Sequence, residues 1–169
     1  GQLGGWAGRL WKRTPGKEPF ADPEDTKIAQ MVQSIEEDDR ISVHLNATVG
    51  RTSGAPGQFS VDISTASGST VTENAGAIIQ ASGFENFDAS QLPEMGFGKS
   101  PNVVDQAGLE LLAKEADGKR IKRPSDGKEV ESVVFVQCAG QRSDKEGELS
   151  YCSGHCCNTS IKQAMYFKD

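Results

Sequence analysis

The chain has 169 residues, 36% of them hydrophobic, which suits one domain or parts of two around a modest core. Its formal net charge of −6 and pI near 5.0 argue against a nucleic-acid partner and against direct docking on anionic lipid. No apolar run approaches the roughly 20 residues of a membrane span, and four cysteines without a secretory signal point to a reducing, cytoplasmic setting.

The chain opens with GQLGGWAGRLWKR, a glycine-rich turn (Gly4-Gly5) with a tryptophan packed beside it. Pro15, Gly16 and Pro19 make the next stretch a loop, and Asp22-Pro23-Glu24-Asp25 then has the composition of a helix start. Ile28, Met31, Val32 and Ile35 follow at i, i+3, i+4 and i+7, predicting one buried stripe whose acidic end, Glu36 to Asp39, is solvated. From Ile41 the period drops to two. Ile41, Val43 and Leu45 predict a strand with His44 on its polar face, and Phe59, Val61 and Ile63 a second. A third begins at Ser69, so this region is expected to form an antiparallel meander. Gly76 to Gly83, GAIIQASG, reads as a buried parallel strand ending in small residues, and the segment from Phe84 to Lys99 as irregular. Asp105 is expected to cap a helix running to Ala116, with Ala107, Leu111 and Leu112 among its apolar positions and Gly118 as its stop. RIKRPSDGK is a basic loop with a Pro-Ser-Asp-Gly turn. Val133 to Val136 reads as a second buried strand. Ile161, Ala164, Met165 and Lys168 have helical spacing behind the capping types Asn158, Thr159 and Ser160.

All four cysteines lie in this last part: Cys138, thirteen residues, Cys152, three residues, then Cys156-Cys157. One falls at the end of a predicted strand and three at the start of a predicted helix, where an open α/β sheet usually binds its ligand. Structural disulfides are one reading, against which adjacent cysteines pair poorly with each other. Zinc is another, with His155 as an extra ligand, although the paired C-x2-C knuckles are missing. An iron–sulfur cluster is the third: four thiolates satisfy a cubane, and a helix N-terminus favours its negative charge. The spacing matches no common ferredoxin run, so residue types alone keep all three open.

VFVQCAGQR, YCSGHCC and IKQA, with RPSDG and NFDASQLPEMGFGKSPNVV before them, together resemble the heterodisulfide reductase A-subunit family. That family includes the flavoprotein subunits of the quinone-interacting membrane-bound oxidoreductase complex. The resemblance implies a [4Fe–4S] cluster on Cys138, Cys152, Cys156 and Cys157. It also implies an α/β fold: a partial thioredoxin-reductase-like FAD-binding Rossmann domain with a β-meander over residues 1–100, then the start of a second Rossmann-like unit over residues 101–169. By the same resemblance Gly4, Gly5, Val49, Ala81, Ser82 and Gly83 approach FAD. The G-x-G-x-x-G turn and ribose acid that should precede Gly4 are absent, so the chain reads as an internal fragment, inactive alone and weak in FAD binding. The implied role is that of an FAD-dependent oxidoreductase subunit relaying electrons between flavin and clusters. Its expected partners are other redox subunits, with no span of its own and at most a peripheral place on a membrane complex. No catalytic side chain is assigned. Two rivals remain: an NAD(P)H-dependent disulfide reductase using Cys156 and Cys157 as a redox pair, and a zinc-stapled interaction domain.

Overall fold

A computed structural model of the chain describes residues 1–168. In chain order its regular elements are β1 (Lys12–Arg13), β2 (Glu24–Asp25), α1 (Ile28–Glu36), β3 (Thr48–Ala55), β4 (Gln58–Ser64), β5 (Thr70–Ala75), α2 (Gln106–Ala116) and α3 (Cys156–Ala164), with short 3-10 turns between. They fall into two compact units. The first comprises Gly1–Gly8 and Lys27–Phe84; the second comprises Arg9–Thr26 and the chain from Glu85 on.

In the first unit β3, β4 and β5 form a three-stranded antiparallel sheet in sequence order. The alternation of Phe59, Val61 and Ile63 is realised in the central strand, where Val61 is buried and its two neighbours on that face are half-buried. The β3–β4 turn is tight enough to require glycine at position 54: its φ is +96°, and a Cβ there would overlap the Gln58 carbonyl. The meander is therefore as expected, but its first strand is not. Ile41, Val43 and Leu45 are exposed and lie outside the sheet, and β3 begins only at Thr48, opposite Ser64. Strand β4 ends at Ser64, so an extension back to Ile41 would have no carbonyls or amides to pair with. Helix α1 keeps its stripe, with Ile28, Val32 and Ile35 half-buried and Met31 exposed. It starts at Ile28 behind a left-handed Lys27, not at the expected acidic cap.

Those acidic residues belong to the second unit, as the hairpin arm β2 paired with β1 in the register Lys12↔Asp25 and Arg13↔Glu24. Glu24 takes the Arg13 guanidinium at 2.5 Å and the Gly16 amide at 3.1 Å. These bonds hold its carboxyl below the ordinary value, the Gly16 amide most strongly and the Arg13 bond next. A helix beginning at Asp22 would break both bonds.

The core of this unit is Leu109, Ala113 and Ile121, with Trp11, Leu112, Ala116, Val130, Phe135, Tyr166 and Phe167 packed around it. Asp105 caps α2 as expected, accepting from the Gly108 amide at 2.7 Å. The helix turns Leu109 and Ala113 inward and leaves Leu111 exposed, and a left-handed Asp117 ends it one residue before Gly118. The expected turn after α2 is present: Arg123 bonds Asp126 and Lys128, and Val130 returns to Ile121.

Two expected strands are absent among the described residues. Gly76 to Gly83 is irregular, with Ile79 88% exposed. In Val133 to Val136 only Phe135 reaches the core, while Val134 is 83% exposed. A buried parallel strand exists only when neighbours supply hydrogen bonds on both edges, and each sheet described here is a small antiparallel one. The fold shown is thus mixed α/β with small antiparallel sheets.

Helix α3 also departs from expectation. It begins at Cys156, so Asn158, Thr159 and Ser160 lie within it instead of capping it. Ile161 is 65% exposed, while Ser160, Lys162 and Gln163 are buried. No described helix is long and apolar enough to cross a membrane.

Candidate metal centre

The four cysteines all belong to the second unit, and none forms a disulfide. Cys138 follows the Phe135 anchor and adopts a left-handed φ of 57°, which turns the chain sharply into the loop towards Cys152. The Gln141 amide closes that turn on the Cys138 carbonyl at 3.1 Å. Gly140 is buried with φ +75°, and a Cβ there would overlap the Phe87 ring, so the turn lies directly on that aromatic.

The charged insert folds back on itself, which brings the distant Cys152 to this turn. The Leu149 amide donates to the Gly140 carbonyl at 2.9 Å, and the Arg142 amide to the Tyr151 carbonyl at 3.2 Å. The Gln141 side chain then accepts the Ser153 amide at 2.8 Å. Gly154 follows with its amide 3.4 Å from the Cys152 sulfur, and an Arg142 guanidinium nitrogen lies 3.9 Å from the Cys138 sulfur. Three residues outside the sequence-derived set (Gln141, Arg142 and Gly154) therefore hold or contact the thiols. The insert's strong charge concealed its role as a closed loop.

Cys156 and Cys157 are the first two residues of α3, behind His155 as the cap. The His155 side chain makes no capping bond; its carbonyl accepts the Thr159 amide at 3.0 Å. The Cys157 thiol is held above the ordinary cysteine value. Its hydrogen bond with Cys156 is the largest cause, followed by the Cys156 charge, burial, and the charges of Cys138 and Cys152. The charges of the two cysteines distant in sequence, Cys138 and Cys152, are thus felt at Cys157, the weakest of these causes. No three His, Cys, Asp or Glu side chains among the described residues close to metal-binding geometry. The chemistry of the donors, four thiols with a Gly154 amide at one and an Arg142 guanidinium at another, suits an iron–sulfur cluster.

The residues expected near FAD lie in the first unit. Gly4 and Gly5 have φ of +91° and +46°; a Cβ on Gly4 would come 3.0 Å from the Ile28 side chain, while the space over Gly5 is open. Val49 is exposed on β3 beside an irregularity in its pairing with β4. Ala81, Ser82 and Gly83 are exposed and irregular, with open space over Gly83. A shallow, open hollow of about 550 Å³ in this unit lies elsewhere, lined by Ser34, Glu37, Asp38, Asp39 and Arg40. His44 contacts Glu73 of β5 at 3.2 Å.

No family model matches the chain. Over 97 residues, 56% of the chain, it is 42% identical to the A subunit of the ferredoxin/F(420)H(2)-dependent CoB-CoM heterodisulfide reductase of Methanosarcina acetivorans, covering 12% of that protein. It is 43% identical over 98 residues, 55% of the chain, to an iron-sulfur A subunit of the CoB–CoM heterodisulfide reductase of Methanopyrus kandleri, covering 14% of it. The corresponding protein of Methanocaldococcus jannaschii is 42% identical over 95 residues, again 55% of the chain and 14% of that protein. Curated relatives at about this identity are heterodisulfide reductase A subunits, and the matched stretch spans less than a sixth of the length of each.

Proposed function

Taking as premise that this chain is related to heterodisulfide reductase A subunits over a little more than half its length, we propose that Cys138, Cys152, Cys156 and Cys157 hold a [4Fe–4S] cluster. The chain would form an electron-carrying part of a heterodisulfide-reductase-like or quinone-interacting flavoprotein complex, working with other redox subunits. The observation that carries this reading is the placement of all four thiols in one compact unit, one on a left-handed turn, one after a loop hydrogen-bonded back to that turn and two at a helix start. Three relatives are named iron-sulfur subunits, which supports the choice of group. A bound cluster supplies one-electron transfer, and flavin links such steps to two-electron chemistry.

The residues of this chain orient and tune. Cys138, Cys152, Cys156 and Cys157 each supply one thiolate. The Gly154 amide and Arg142 guanidinium direct partial positive charge at Cys152 and Cys138, which favours the more negative, reduced state. In the same reading the first unit belongs to an FAD-binding domain, with the backbone of Gly4, Gly5, Val49, Ala81, Ser82 and Gly83 towards the cofactor. The FAD-binding domain of this reading extends to about residue 100, past Glu85 where the second compact unit resumes, and no side chain acts as acid, base or nucleophile.

The test is anaerobic reconstitution of the wild-type chain, four single Cys→Ser variants and His155→Ala, with iron and sulfide counts and EPR of the reduced state. Four irons and four sulfides are expected in wild type and in His155→Ala, with loss or conversion in each Cys→Ser variant. One zinc per chain and no visible absorbance would overturn the reading in favour of a zinc staple. Flavin reduction by NAD(P)H without iron would favour a Cys156–Cys157 redox pair. A full, unaltered cluster in Cys138→Ser would remove that residue from the ligand set.

A further inference from the structure

Helix α3 presents a polar face to the interior, and that face continues to the cysteines. Glu110 of α2 and Gln163 of α3 are each 1% exposed, and Lys162 is 4% exposed. Lys162 Nζ lies 2.8 Å from Glu110 Oε1 and donates to the Lys12 carbonyl at 2.8 Å. Glu110 Oε2 accepts the Trp11 amide at 2.9 Å, and the Tyr166 hydroxyl lies 3.3 and 3.2 Å from the two carboxylate oxygens. Gln163 Nε2 donates both to Glu110 Oε1 at 2.9 Å and to the Gln106 carbonyl at 2.8 Å. Gln106 in turn donates from Nε2 to the Cys156 carbonyl at 3.2 Å and to Ser160 Oγ at 3.3 Å. Hydrogen bonds through Gln163 and then Gln106, which accepts at its backbone carbonyl and donates from its side chain, thus link a buried carboxylate to the backbone of a cysteine. Among the described residues every buried side-chain nitrogen or oxygen has a partner.

An ion pair this deep is no cheap source of stability, because desolvation offsets most of the attraction, and apolar residues of the same size would often serve better. What such a network fixes is relative position: two helices joined by directional bonds have one register. The register here sets where the first turn of α3 lies, and with it Cys156 and Cys157. The network is also electrostatically close. Gln163 lies seven positions beyond Cys156, about 10 Å along a helix.

We propose that Gln106 and Glu110 are positioning residues of the four-thiol site: Gln106 fixes the Cys156 turn against α2, and the neutral Glu110–Lys162 pair sets the local charge that a bound cluster experiences. The inference rests on the iron–sulfur reading for its second half only. Gln106→Leu removes the bond to the Cys156 carbonyl at an exposed position. Glu110→Gln keeps the shape and leaves the Lys162 charge unbalanced. Ala113→Gly, at a fully buried position of the same helix, is the control for loss of stability alone.

In the iron-free full chain, amide exchange at Thr159 and Ser160 should quicken about fivefold in Gln106→Leu, the weight of one ordinary net hydrogen bond, with little change in melting. Ala113→Gly should melt lower without that local change. In the reconstituted chain, Glu110→Gln should raise the cluster's midpoint potential, because added positive charge favours the reduced state, and Ala113→Gly should leave it unmoved. Unchanged exchange in Gln106→Leu overturns the positioning role. A Glu110→Gln potential equal to wild type overturns the electrostatic one. If wild type takes up no iron and sulfide, the cluster reading and the electrostatic role fall together, and the exchange experiment alone decides the positioning of the cysteine turn.

Discussion

Gly140→Ala probes the loop on which the candidate centre depends. The residue has φ +75°, a conformation that costs an alanine about 1–2 kcal/mol. A Cβ there would also overlap three atoms of the Phe87 ring, and forcing such a contact adds about 1–3 kcal/mol. The sum, about 2–5 kcal/mol, is a large fraction of the stability of a small domain. Because Phe87 is only half-buried, truncating it should be tolerated and should relieve the overlap but not the backbone strain. Urea unfolding of wild type, Gly140→Ala, Phe87→Ala and the double variant closes a cycle, and the expected coupling equals the overlap, about 1–3 kcal/mol. A Gly140→Ala chain as stable as wild type would refute the turn geometry. A cycle without coupling would show that Phe87 does not lie against the turn.

Asp105→Ala should cost about 1 kcal/mol in unfolding free energy, because α2 loses the side-chain bond to the Gly108 amide. Tyr166 is held above the ordinary tyrosine value of 10.0, by burial first and then by the Glu110 charge. The unfolded chain gives up that proton first, so the contribution is full below about pH 10 and is lost as pH rises towards the folded value. Denaturant midpoints should fall across that range, less steeply in Tyr166→Phe. The purified chain should bind FAD weakly or not at all by equilibrium dialysis; tight stoichiometric FAD would contradict the expectation drawn from the absent G-x-G-x-x-G turn.

What the sequence discloses here depends on whether an element is specified locally. Helix α2 carries its cap and its extent within a dozen residues, and both are read correctly. Of its expected apolar positions Ala107 and Leu112 are half-buried and Leu111 exposed, while the buried Leu109 and Ala113 are not among those singled out. The meander is legible because β4 alternates cleanly and Gly54 marks the turn. Ile41 to Leu45 alternates equally well, yet strand pairing is decided by the length of β4, which no local pattern reveals. Gly76 to Gly83 and Val133 to Val136 fail for the same reason: composition permits a strand, but a partner makes one. The hairpin β1–β2 was hidden because an acid beside proline suits a helix start and a guanidinium-bound turn alike. In the candidate centre, the crowding of Cys152, Cys156 and Cys157 is visible in the sequence. The approach of Cys138 depends on Gly140, Gln141 and the folded insert. Glu110, adjacent to Leu109 on α2, reads as a surface acid until Lys162 and Gln163 are found facing it.

The bare valines before Cys138 have a practical consequence. Val133, Val134 and Val136 are all exposed, in a run of high β-propensity without proline or charge, and Ile78 and Ile79 form a second such window. Unpaired segments of this composition template intermolecular cross-β stacking. The net charge of −6 opposes that association by repulsion at low ionic strength, and salt removes the protection. Concentrated stocks of this chain should therefore keep best in dilute buffer, and Val134→Lys, at a side chain already in water, should extend their life without touching the thiols.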